Sequence, residues 1–185
     1  MNSNELRNIL ASTIPSEYQT GVLACDQLNF ITKFKFAIIL NTDDSTKSGL
    51  HWLSLFKPNA DSQVVEFFDS FGLPYQFYDK RISSFLSKFS FARTSSFQIQ
   101  STFSDVCGHF CVYFLSSRVK GITFDCILNS FSLHDLTKND ERVKTFVKQN
   151  FKHTSANVES RSHDDLIELF IHQCCKKQIK TFYCE

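Results

Sequence analysis

Apolar residues recur along this chain at spacings that alternate between those of helices and those of strands. Near the start, Leu6, Ile9 and Leu10 share one face of a short helix that Ser3 or Asn4 can cap and that ends before Pro15. The segment 21–28 leads into 33–40, where alternation passes into a continuous apolar run, as in a strand covered on both faces and therefore central in its sheet. Polar turn residues from Asn41 to Gly49 precede a second strand over 50–56, and 58–62 separates it from a third over 64–69. Folded about residue 60, these two strands pair so that Leu55 meets Val65, Leu53 meets Phe67 and His51 meets Asp69. A one-residue slip would send His51 and Asp69 to opposite faces.

Residues 70–90 read as a turn and then an amphipathic helix on Ile82, Phe85, Leu86 and Phe89. Phe97 and Ile99 alternate with Gln98 and Gln100 in a short strand. Next, Cys107, Phe110, Cys111, Phe114 and Leu115 fall on one helical face, with Ser104 and Asp105 as N-cap candidates. Asn139 can cap a further helix that carries Val143, Phe146, Val147 and Phe151 on one side. The order predicts an α+β fold, a central, mostly antiparallel or mixed sheet with helices packed on it. One domain is expected over 1–151. Residues 152–162 read as a linker and 164–177 as a last helix presenting Leu166, Ile167, Phe170, Ile171 and Cys174, packed on the domain or appended to it.

Composition narrows the class. A chain of 185 residues with 42% hydrophobic side chains supports one core, and 21 Phe make that core aromatic. No apolar run reaches membrane-spanning length and the first residues lack the pattern of a signal peptide, so an intracellular protein with no membrane partner is expected. Its seven cysteines, irregularly spaced, then read as reduced thiols. Cys174 and Cys175 with His172 and Cys184 are the one metal candidate, but no Cys-x-x-Cys pair supports it and no metal is expected. Net charge is +1, divided unevenly: 5 basic and 8 acidic residues up to Asp69, then 15 and 11. The positive second half permits a weak contact with DNA without demanding one.

The chemistry centres on Cys107. A thiol at a helix N-terminus sits in the positive end of the helix dipole, which favours thiolate. Gly108 beside it lets a substrate come close. His51 on its strand, oriented by Asp69, completes the minimal set for thiol nucleophilic catalysis. Trp52 either walls the cleft beside His51 or packs on the sheet.

Asn41-Thr42 with Gly49-Leu50-His51-Trp52, then Phe68-Asp69-Ser70-Phe71-Gly72, Gln100 and Cys107-Gly108-His109-Phe110-Cys111 together resemble the adenovirus-type (adenain-like) cysteine endopeptidases and related proteases of virus-derived mobile elements. More distantly the set is similar to the proteases of ubiquitin-like proteins. The resemblance covers roughly residues 18–115, with Asp69 where the adenovirus enzymes have Glu. It implies a cysteine endopeptidase that cuts viral or mobile-element precursor proteins, often after a small residue such as Gly. His51 is then the general base, Asp69 its orienter, Cys107 the nucleophile, and Gln100 an oxyanion donor together with the Cys107 amide, while Gln98 is left an exposed or structural amide. Trp52 and Gly108 become substrate-binding candidates. No cofactor is needed for the chemistry. Activation by a peptide or by DNA is compatible with the family, but no cysteine lies between Cys25 and Cys107 to take the disulfide-linked peptide of the adenovirus enzymes. A monomer in the host nucleus or cytoplasm, and in the virion, is expected. Competing readings are an isopeptidase acting on ubiquitin-like modifiers, against which Val106 interrupts the Asp-Cys-Gly order of that class, and a non-catalytic virion structural or DNA-binding protein.

Overall fold

Five strands form one mixed sheet in the computed structural model, which describes residues 1–151. They are β1 (Gln19–Ala24), β2 (Phe36–Asn41), β3 (Trp52–Lys57), β4 (Val64–Phe68) and β5 (Phe91–Thr94), and they lie side by side in chain order. The β1–β2 and β4–β5 pairs are parallel, and β2–β3 and β3–β4 antiparallel. Helices are α1 (Ser3–Thr13), α2 (Lys80–Leu86), α3 (Cys107–Val119), α4 (Phe124–Asn129) and α5 (Leu136–Phe151), with 3₁₀ turns at Cys25–Phe30 and Tyr75–Phe77. The α+β expectation holds. The proposed linker and last helix of residues 152–185 lie outside the described residues. Among those described, no helix is long and apolar enough to cross a membrane.

The apolar run of β2 follows from cover on both faces. Ala37 and Ile39 join the core beneath α3, while Phe36, Ile38 and Leu40 join a second core beneath α2 and the first 3₁₀ turn. All six residues of β2 are buried, at roughly 25 cal/mol for each Å² of apolar surface withdrawn from water. The middle strand of the five is β3; β2 is its interior neighbour.

The β3–β4 register corrects the sequence expectation. Leu55 pairs with Phe67 and Ser54 with Phe68, so the hairpin turns about residue 61, two residues off the expected pairing. Lys57 holds the longer turn, its ammonium donating to the carbonyls of Asn59 (2.7 Å) and Ala60 (2.9 Å). A two-residue shift preserves which face each side chain takes. His51 and Asp69 therefore still converge, from just outside the paired residues and not as direct cross-strand partners.

Three caps and one strand also differ. Asn2, not Ser3 or Asn4, caps α1: its side chain accepts from the amides of Asn4 and Glu5 while the Glu5 carboxylate takes the Asn2 amide, a reciprocal box that needs Glu at the third position. At the head of α5, Asp135 accepts from the Lys138 amide. Asn139 is inside the helix and buried, donating to the Ile99 and Ser132 carbonyls. The last strand is 91–94, and 97–100 does not alternate, because Ile99 and Gln100 are both buried. Their two amides converge on the Ser70 carbonyl (2.9 and 3.1 Å). The third cap, that of α3, bears on the site and is described with it.

Helix α3 is buried on nearly every side, with α1 and α5 covering what the sheet does not. Phe114 stacks on Phe68 of β4 with ring centroids 4.4 Å apart. At its far end the Arg118 guanidinium pairs with both oxygens of buried Glu66 (2.6 and 2.9 Å) and lies over the Phe56 ring. This bidentate pair pins the helix to β4 and so fixes where Cys107 emerges at the other end. Removing one partner of such a buried pair costs about 3–5 kcal/mol.

Candidate active site

Cys107, His51 and Asp69 meet at one end of the sheet's interior strands, where β3 begins, β4 ends and α3 starts. His51 Nε2 lies 2.7 Å from Asp69 Oδ1. The ring's remaining nitrogen is left for Cys107, whose thiolate attracts the charged imidazole. His51 and Cys107 are each 9% exposed and Asp69 is fully buried.

Asp69 is held on all sides. The Phe71 amide donates to Oδ1 at 3.0 Å, and the Leu73 amide (2.9 Å) and Tyr78 hydroxyl (2.8 Å) donate to Oδ2. With His51, each oxygen thus has two contacts, the pattern of an acceptor-only carboxylate. Ser95 clamps the backbone of the same residue, accepting from its amide and donating to its carbonyl. The chain can curl around the carboxylate because Gly72 adopts φ +68°. A Cβ there would stand 2.3 Å from the carbonyl carbon of Phe97, so no other residue fits.

Electrostatics in this site favour a charge-separated pair. Burial works against the imidazolium, but the hydrogen bonds and attraction to Asp69 and Cys107 outweigh it and raise the His51 pKa from 6.5 to about 9. Burial likewise pushes the Cys107 thiol up. His51, together with the amides of Trp52 and Gly108, brings it below its ordinary value. Cys111, one turn further along α3, has the burial and no imidazole, and its thiol is pushed well above the ordinary range.

Val106 is the N-cap of α3 and offers no side-chain acceptor, in place of the Ser104 or Asp105 cap expected from the sequence. The Ser104 hydroxyl instead donates to the Ser101 carbonyl. The missing cap has a chemical consequence, since the Gly108 amide is left to act on the thiol while those of His109 and Phe110 turn to the Val106 carbonyl.

A cleft of about 540 Å³ is lined by Met1, Asn2 and Ser3, by Ser48, Gly49 and Leu50, and by His51, Trp52, Phe71, Gln100 and Cys107. Gln100 is almost fully buried, its Nε2 donating to the Ser104 carbonyl (2.8 Å) and its Oε1 accepting from the Ser70 hydroxyl (2.6 Å). Gln98 does not line the cleft; it ties the loop by donating to the Gln100 carbonyl and the Thr102 hydroxyl. Trp52 does line it. Gly108 does not: the space at its Cα faces Met1, Trp52 and Leu6 at 3.3–3.5 Å, so its lack of a side chain serves the packing of α1, and only its amide reaches the thiol. A larger hollow of about 730 Å³ between α1 and α5 contains His109, Lys144 and Lys148 but no nucleophile paired with a base. Size does not single out the site; chemistry does. Among the described residues, no group of His, Cys, Asp and Glu could hold a metal, and the Cys174 candidate lies beyond them.

Sequence reasoning missed Tyr78, Ser70, Ser95 and the Trp52 amide. Tyr78 had a readable signal. In a chain with 21 Phe and 5 Tyr, a tyrosine nine residues past the candidate acid carries a hydroxyl that must find a partner. Its ring also lies nearly parallel to His51, with centroids 6.2 Å apart. Tyr78→Phe should lower stability by about 1.5–3 kcal/mol, the range for a hydrogen bond to a charged group. The denaturant midpoint measures this, and an unchanged midpoint would show that the hydroxyl does not hold Asp69.

Comparison with known proteins adds an independent line. A family model described as adenovirus endoprotease matches residues 20–166, most of the chain and past the last described residue. No curated protein matches. Among solved structures, that of the selenomethionine form of the ASFV pS273R protease is similar at a TM-score of 0.41 and 15% identity. The match covers 76% of this chain and 63% of that one. The chain thus spans less than two thirds of the length of that structure.

Proposed function

The chain belongs to the adenovirus endoprotease family, and on that premise we propose that it is a cysteine endopeptidase cutting precursor proteins of a virus or virus-derived element. The observation that carries the reading is the constellation Cys107–His51–Asp69, in which a lowered thiol and a raised imidazole stabilise each other's charge and the imidazole is hydrogen-bonded to a buried carboxylate.

The Cys107 thiolate attacks the carbonyl carbon of the scissile peptide. Its electron pair forms the C–S bond and the carbonyl π pair moves onto oxygen. The resulting oxyanion lies by the N-terminus of α3, where the Cys107 backbone amide and Gln100 Nε2 donate to it. The His51 imidazolium gives its proton to the leaving amine as the C–N bond breaks, leaving an acyl-enzyme and a neutral ring. That ring takes a proton from water, whose oxygen attacks the thioester carbon, and the acid product departs with Cys107 again a thiolate and His51 again charged. Asp69 stays an acceptor throughout and fixes the ring's tautomer and direction.

The roles of the two glutamines are tested by kinetics. Gln100→Ala should reduce kcat by roughly a hundred- to a thousandfold, the effect of losing one preorganised donor, with thiolate labelling little changed. Gln98→Ala should change it by less than about threefold, below 1 kcal/mol. The reverse pattern would transfer the oxyanion role to Gln98. Mass spectrometry of products from a peptide library tests the activity itself: discrete cleavage sites, abolished by alkylation, are expected, and an intact library after exposure to reduced, folded protein would overturn the reading.

A further inference from the structure

We infer that Ser70 is a positioning residue that, together with the Ser104 carbonyl, holds the Gln100 amide with its NH₂ end toward the cleft, an inference that rests on the oxyanion reading of Gln100. A carboxamide has two ends of nearly equal shape and opposite hydrogen-bonding character. Turned end for end, Gln100 would present an acceptor where a negative oxygen develops, and a stabilising contact would become a repulsive one. Nothing in the chemistry of glutamine prevents this; the surroundings must.

Two contacts do so. Ser70 Oγ donates to Gln100 Oε1 at 2.6 Å, and Gln100 Nε2 donates to the Ser104 carbonyl at 2.8 Å. The Ser104 carbonyl can only accept, so it must face the NH₂ end, and the Ser70 hydroxyl then meets the oxygen as donor. An NH₂ group has two hydrogens. With one on Ser104, the other remains for the cleft that Gln100 lines beside Cys107. Both side chains are 1% exposed, so water cannot take over either role. Ser70 sets the backbone too, since its carbonyl receives the amides of Ile99 and Gln100. Because Ser70 directly follows Asp69, two adjacent residues at the end of β4 orient the two halves of the machinery, Asp69 the imidazole and Ser70 the oxyanion donor.

A double-mutant cycle tests this. Ser70→Ala should lower kcat about tenfold, the loss of one buried hydrogen bond expressed in the transition state, with KM within about twofold of wild type and Cys107 alkylated at its normal rate. In a Gln100→Ala background the same change should alter kcat by less than about twofold, because the group it orients is gone. Ser70→Cys, which keeps the shape and weakens the donor, should fall between serine and alanine, and it decides the matter if the alanine variant does not fold. An unchanged kcat for the folded Ser70 variants, beside a large loss for Gln100→Ala, would overturn the role of Ser70 and leave that of Gln100 intact. Equal losses in both backgrounds would show that Ser70 acts elsewhere. Full activity of Gln100→Ala would remove the oxyanion reading and this inference with it.

Discussion

Cys107→Ser should reduce peptide cleavage by on the order of 10⁴-fold or more while leaving the protein folded. The exchange hardly changes volume, and Cys107 lines the cleft at the first residue of α3, so packing beneath the helix survives. What is lost is the charge separation. His51 and two backbone amides bring the thiol below its ordinary value and so favour the thiolate. A serine hydroxyl in the same place stays protonated and removes the thiolate that helps hold the imidazole in its charged form, so no ion pair forms and the nucleophile is weak. Cys111→Ser in parallel should leave cleavage within a few fold, since that buried thiol is protonated and outside the cleft. Loss of activity in the Cys111 variant with retention in the Cys107 variant would reverse the assignment.

His51→Ala carries the second large effect, a loss on the order of 10⁴-fold in kcat/KM, because one ring serves as ion-pair partner to the thiol, acid to the leaving amine and base to the water. The thiol would also rise, since burial would then lack its main opponent. The variant should therefore lose both cleavage and rapid alkylation near neutral pH. Asp69→Ala behaves differently. Besides releasing the ring it strands the Phe71 and Leu73 amides and the Tyr78 hydroxyl in a buried site, at roughly 1–3 kcal/mol for each donor left unpaired. Its activity should fall less than that of His51→Ala when corrected for folded protein, and its denaturant midpoint should fall more. A midpoint equal to that of wild type would show that the carboxylate is no keystone of the 69–73 turn.

Much of this arrangement can be read from the chain because periodicity survives small errors. The β3–β4 pairing turns about residue 61 and not 60, yet His51 and Asp69 still meet, since a shift of two residues leaves every side chain on its face. Cys107 at a helix start was visible in the apolar spacing from Cys107 to Leu115. The caps were not visible, because Ser3, Asn4, Ser104, Asp105 and Asn139 are all competent acceptors and only tertiary contacts choose among them. Asn139 is drawn into the core by the Ile99 carbonyl, and α3 goes without a side-chain cap. The strand assigned to 97–100 failed for a related reason: apparent alternation in a short window cannot foresee that Ile99 and Gln100 would both turn inward to the Ser70 carbonyl. The web around Asp69 and Gln100 is long-range in sequence. Ser95 and Asp69 are 26 residues apart, and Ser70 and Gln100 are 30 apart.

The pH dependence of thiol alkylation, with the labelled residue located by mass spectrometry and cleavage followed in the same samples, tests the ion pair most directly. Both rates should rise together as Cys107 deprotonates at a pH below the ordinary thiol value. As pH passes about 9 the imidazolium loses its proton, so cleavage should fall while alkylation of Cys107 holds or rises, the thiolate persisting without its acid partner. Alkylation that appears only in the ordinary thiol range, or that falls first on Cys25, Cys111 or Cys126, would contradict the account.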